Sequence, residues 1–216
     1  MSDDYAAPVS ALLTRGAPNN MTDWADYRGE YGFQPEHVPE LIRLMNDASV
    51  YDEDPDGPAP WAPVHAWRAL AQLGAGEAAG PLVQRLDNEE DEWARRDMPR
   101  AMGMIGTPAV PALAGFISDS SHDEYARGRA VESLKAVVDA HPDARDQAVG
   151  ILKPQLNKYR ENGGDLNGEV IKALIELGER DAATVMIRAY NEHLVNSEVV
   201  DWDRIQEFAG ASPGSA

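Results

Sequence analysis

Ala69-Leu70-Ala71-Gln72-Leu73-Gly74 recurs 32 residues on as Ala101-Met102-Gly103-Met104-Ile105-Gly106, and once more as Ala173-Leu174-Ile175-Glu176-Leu177-Gly178. A degenerate copy, Ser133-Leu134-Lys135-Ala136-Val137-Val138, follows the second in the same register. Upstream, Trp61, Trp93 and Tyr125 keep the 32-residue step, as do Ala66, Met98 and Ala130. Self-similarity at this period is the mark of stacked supersecondary units. Within a copy, Ala66, Ala69, Leu70 and Leu73 fall at i, i+3, i+4 and i+7, which is one face of an amphipathic helix.

Gly74, Gly106 and Gly178 stand where a helix ends in a left-handed residue. A second apolar stripe follows each, as in Val110, Leu113, Phe116 and Ile117, and Thr107-Pro108 reads as the N-cap and first residue of that second helix. No stretch alternates as a strand does. A lone two-helix unit cannot bury its stripe, so units stack along one axis. The fold class is therefore all-α, a superhelix of about five helical hairpins. The first is incomplete, with one helix near 35–47, and the others span 61–88, 92–119, 124–161 and 166–195. Pro154 predicts a kink in the fourth pair, and Asn162-Gly163-Gly164-Asp165 marks a break. Residues 1–34 and 196–210 lack the pattern and read as caps around a solenoid at 35–195, with 211–216 as a disordered tail.

The Ala-Leu-x-x-Leu-Gly unit resembles HEAT-like repeats of the phycobilin-lyase type, over about residues 35–195. The resemblance implies a right-handed α-solenoid. His37-Val38-Pro39-Glu40-Leu41-Ile42-Arg43 and the segment from Trp61 to Leu70 resemble bacterial HEAT-repeat proteins, which refines the family without adding an activity. HEAT-like deoxyhypusine hydroxylases hold di-iron through repeated His-Glu dipeptides. This chain has none, and its five histidines, His37, His65, His122, His141 and His193, do not follow the repeat. No residue set matches bilin chemistry.

Charge narrows the function classes. Thirty-seven acids against 19 bases give a formal charge of −18 over 216 residues, which opposes binding to a phosphate backbone. The acids crowd the ends: residues 1–60 hold 12 against 3 bases and residues 165–216 hold 10 against 4, while 123–164 balance at 7 and 7. Without cysteine there is no disulfide, thiolate nucleophile or thiolate metal site. The start carries neither a basic region nor an apolar run, so a soluble, cytoplasmic protein with no membrane span is expected, as a monomer or weak oligomer. Nucleophile-elbow and phosphate-loop motifs are missing, and neither a catalytic residue nor a cofactor is expected.

Two groups of side chains stand out as candidates for binding a partner. Trp61, His65 and Arg68 share a helix face and together suit a carboxylate or an acidic peptide, unless Trp61 caps the hairpin, Trp67 packs against a neighbour and Arg68 pairs with an acid of the next repeat. Arg95, Arg96 and Arg100, with Arg127 and Arg129 in the next repeat, form a cationic edge unless they pair with Glu89, Glu90, Asp91, Glu92 and Asp97. Asp52-x-Asp54-x-Asp56-Gly57 opens like a calcium loop, but Pro63 stands where the twelfth-position glutamate belongs, so an acidic linker or at most a weak divalent site is expected. The leading reading is a non-enzymatic scaffold that holds a protein or peptide on a concave face lined by the second helices. An accessory role in cofactor attachment and an acidic nucleic-acid mimic are the alternatives.

Overall fold

In the computed structural model, which describes residues 5–20, 22–51, 54, 56–88 and 91–210, the expected helix stops are visible one by one. After a 3-10 turn at Val9–Thr14, helix α1 covers Tyr27–Tyr31 and α2 covers Val38–Met45. The first helices of the repeats are α3 (Ala62–Leu73), α5 (Glu92–Ile105), α7 (Glu124–Ala140) and α9 (Gly164–Glu176). Their second helices are α4 (Ala79–Gln84), α6 (Val110–Ser118), α8 (Arg145–Asn157) and α10 (Ala183–Asn191), and α11 (Trp202–Gly210) follows. Among the described residues there is no strand.

Gly74, Gly106 and Gly178 all carry positive φ, but only part of the helix-stop reading holds: Gly74 is left-handed, whereas ψ −150° takes Gly106 out of that region. In the degenerate copy no glycine interrupts the pattern, and α7 continues to Ala140 before His141 ends it. Asp91 and Asp123 start α5 and α7 by accepting from the amides of Ala94 and Tyr125. Thr107 does not cap α6. It opens a 3-10 turn, Thr107–Ala109, and makes no side-chain cap bond. Every second helix begins this way, with Ala78, Ala109, Ala144 or Ala182 buried at the end of the turn. The tight turn leaves room for a small side chain only. Helix α8 runs on through Pro154, as α5 does through Pro99.

The first helices pack side by side in chain order, α3 on α5, α5 on α7 and α7 on α9, and the second helices form the other row. Ala66, Met98 and Ala130 are fully buried, and so are Leu70, Met102, Leu134 and Leu174. The 32-residue step therefore marks core positions, where a buried leucine contributes about 1.5–3 kcal/mol. Pairing inside the stack differs from the hairpins read in the sequence. Helices α5 and α6 turn by 119° at Gly106, so α6 diverges from α5 and packs more extensively on α7. In the same way α8 lies against α9 and α10 against α11. The chain is an all-helical solenoid in which each second helix bridges to the following first helix. No single helix among the described residues is long and apolar enough to cross a membrane.

Candidate functional site

His65 and Arg68 are each 1% exposed, so the trio with Trp61 does not converge on solvent. What covers them is the chain's own N-terminal segment. Nε2 of His65 donates to the Gly16 carbonyl at 2.7 Å, and Nδ1 accepts the Tyr27 hydroxyl at 2.7 Å. Arg68 Nη1 reaches the Asn20 carbonyl, Arg100 reaches the Thr22 carbonyl, and Gln72 pairs with both the Ala25 carbonyl and the Tyr27 amide. Trp24 lies against Ala71 and Ala101. The non-helical stretch between Gly16 and Tyr27 is thus held across the outer face of α3 and α5, largely through its backbone.

Beneath it, Arg68 makes a two-pronged ion pair with Asp97, Nε to Oδ2 at 2.6 Å and Nη2 to Oδ1 at 3.2 Å. Trp67 Nε1 donates to the same Oδ2 at 2.8 Å. The guanidinium lies between the rings of Trp24 and Trp93. Trp61 meets Trp93 edge-on at 5.4 Å, which supports the packing alternative for the aromatic ladder, while Tyr125 stays 39% exposed. A polar cleft of about 280 Å³ remains beside His65 and Arg68, lined also by Arg15, Tyr27, Glu30 and Tyr31. Arg15 pairs with Glu30 and Tyr31 and covers the Tyr27 and Tyr31 rings, so both of the cleft's arginines, Arg15 and Arg68, already have a carboxylate partner.

Burial, helped by the charges of Arg15 and Arg68 and opposed by Glu30 and the Gly16 carbonyl, lowers the His65 pKa to about 4. A depressed histidine is neutral in the fold and stabilises it fully only above the unfolded pKa of about 6.5. That stability is lost as pH falls from about 6.5 towards 4. Acidification from pH 8 to pH 5 is expected to cost about 2 kcal/mol through this group. Urea melts of the wild type and His65→Gln test this, since the variant should show a shallower acid limb between those pH values.

The cationic edge does not assemble. Arg127 is buried and its Nε donates to the Ile117 carbonyl at the end of α6, so the 32-residue step from Arg95 points inward. Nε of Arg95 is likewise buried and has no hydrogen-bond partner. Arg96 faces Glu92 at 3.7 Å, and Arg129 bonds Glu132 at 2.7 Å and the Tyr125 hydroxyl at 2.8 Å. Asp97, expected to pair with this group, is taken by Arg68. In the acidic loop Asp52 lies outside the described residues, and the Asp54 carboxylate accepts the Asp56 amide. Among the described residues no cluster of three or more ligand side chains could hold a metal.

Further along the first-helix face the surface is open. A cleft of about 230 Å³ runs over α5, α7 and α9, floored by Pro99, Val131, Ala136 and Ala173 and walled by charged side chains. A smaller cleft of about 70 Å³ between α7 and α9 shares Glu132 and Glu169 with it. These clefts belong to first helices, whereas the sequence reading had put the partner on second helices. Small residues draw the first helices together here: a Cβ on Gly103 would lie 3.1 Å from the Ala136 carbonyl.

Comparison with known proteins bears on the fold. Residues 56–135 match the sequence model of the family described as HEAT repeats, which spans α3 to α6 and most of α7. Over 128 residues the chain is 29% identical to the HEAT repeat-containing taxis protein OE_2401F of Halobacterium salinarum. The alignment takes in 57% of this chain and 29% of that protein, so the chain matches under a third of the relative's length. No solved structure matches.

Proposed function

From the match of residues 56–135 to HEAT repeats we propose that the chain is a HEAT-like, non-enzymatic scaffold that seats a segment of a partner protein along its first-helix face. One observation carries the reading. The face already holds a non-helical peptide segment, its own residues between Gly16 and Tyr27, and then continues as an open groove over α5, α7 and α9. A solenoid repeats its surface with its helices, so a mode of binding used at one step is geometrically available at the next. Rigid helices hold such a groove in place without a partner, which lowers the cost of ordering on binding. A cofactor site would be lined mainly by apolar side chains, and charged walls disfavour that alternative. The relative's name supplies taxis as the setting in which a partner would first be sought.

Filling the groove is the direct test. Ala136→Trp places a large ring on the half-buried groove floor, and Gln147→Trp places one on the exposed side of α8. With helix content unchanged by circular dichroism, a partner retained by the wild type and by Gln147→Trp should be lost with Ala136→Trp. Equal retention by all three proteins would remove the groove from the mechanism.

A further inference from the structure

Four first helices share one register, so residues that hold the N-terminal segment have counterparts in the open groove. In that register His65 corresponds to Asp97, Arg129 and Glu169, Arg68 to Arg100, Glu132 and Lys172, and Gln72 to Met104, Ala136 and Glu176. At α3 and α5 four of these six positions are donors, Arg68, Arg100, His65 and Gln72, and all four give hydrogen bonds to carbonyls of the covering segment, Asp97 and Met104 being the exceptions. At α7 and α9 the same positions carry Glu132, Glu169 and Glu176, with Lys172 and Arg129.

The walls of the open groove are acid-rich and share their cations. Lys172 serves Glu169 at 3.0 Å and Glu132 at 3.6 Å, Lys135 serves Asp139 at 2.6 Å and Glu176 at 3.7 Å, and Arg129 serves Glu132 as well. Counting Asp165, the two joined clefts hold five carboxylates, Glu132, Asp139, Asp165, Glu169 and Glu176, against Lys135, Lys172 and Arg129, with Arg204 of α11 reaching Glu176 at 2.9 Å from outside the lining. Burial and the neighbouring charge of Glu132 push the Glu169 carboxyl above its ordinary range, although Lys172 opposes this. A further cation entering between Glu132 and Glu169 relieves that repulsion. The apolar floor of Val131, Ala136 and Ala173 suits the methylene stem of such a side chain.

We propose that the groove over α7 and α9 takes an extended basic segment of a partner protein, with a lysine or arginine side chain inserted between Glu132 and Glu169. This deepens the scaffold reading and rests on it. A second copy of this chain is a poor occupant, because each copy carries −18. The overall charge steers a basic partner towards the protein, and the groove decides where it docks.

The probe is a short unstructured peptide with arginine at alternate positions, and a glutamate peptide of equal length is the control. Both are titrated by calorimetry and by amide chemical-shift mapping, at the lowest salt that keeps the full helical signal. The arginine peptide should bind, and its shifts should centre on residues 132–136 and 169–176. Glu132→Gln with Glu169→Gln should weaken it about tenfold or more. Glu36→Gln with Glu77→Gln, both exposed and on segments that do not line the groove, changes the net charge equally and should leave affinity within about twofold. Equal weakening by both pairs, or shifts centred elsewhere, would overturn the proposal, as would binding of the glutamate peptide at the same residues. A partner lost with Ala136→Trp while the arginine peptide fails to bind would sink the basic-segment inference and spare the scaffold reading.

Discussion

Asp97→Ala is expected to lower the free energy of unfolding by about 3–5 kcal/mol, the range found when one member of a buried ion pair is removed. Asp97 and Arg68 are each 1% exposed, and the carboxylate answers three donors: Nε and Nη2 of Arg68 and Nε1 of Trp67. After truncation the guanidinium stays buried beside Trp24 and Trp93, with the Asn20 carbonyl at 3.3 Å and the neighbouring Tyr27 hydroxyl as neutral partners and no counter-charge in place of Asp97. Burying an unpaired charge is far more costly than the pair is favourable, so replacing both members should recover much of the loss. Urea denaturation of Asp97→Ala and of Asp97→Leu with Arg68→Met measures the two cases. A loss below about 1 kcal/mol for the single variant would mean that water reaches Arg68 and that the N-terminal segment does not seal the pair.

That pair also shows where sequence reading stops. Asp97 and Arg68 belong to consecutive repeats, and a carboxylate near an arginine cluster carries no label saying which arginine it serves. The helices themselves are legible because their apolar residues keep one period and glycine ends them, so the buried step Ala66, Met98 and Ala130 is visible before any coordinates. A non-helical segment has no period. Nothing local in Gly16, Asn20, Thr22 and Ala25 says that their carbonyls will cross α3 and α5, because the donors are supplied from 47 to 78 residues away. A usable signal was present in the helices: polar residues at the recurring positions 65, 97, 129 and 169, and 68, 100, 132 and 172, mark a face that has to be covered or wet. At α3 the chain covers it, which buries His65 and Arg68 and leaves Trp61 partly buried against Trp93. At α7 and α9 it stays open, and of the binding candidates singled out in the sequence only Arg129 lines it.

The second large effect separates two glycines that look equivalent in the repeat. Gly74→Ala should cost about 1–2 kcal/mol and Gly106→Ala about 3 kcal/mol or more. Gly74 has φ +65° and ψ +32°, ordinary left-handed helix, and a Cβ built there meets nothing within 4 Å. Alanine then bears only the intrinsic cost of that conformation. Gly106 has φ +79° and ψ −150°, a region open essentially to glycine alone, and its Cβ would stand 2.7 Å from Nε2 of His141. The ring cannot swing away freely, because that nitrogen is bonded to the Gly103 carbonyl at 3.1 Å. The unusual ψ aims the chain through the 119° turn that sends α6 onto α7, so relaxing it would shift α6 against its main neighbour. Thermal melts of both variants decide the matter: Gly106→Ala should lose clearly more than Gly74→Ala, and adding His141→Ala should restore part of the difference by removing the clash. Equal losses at the two positions would mean that the turn after α5 can adopt the ordinary left-handed geometry of the turn after α3.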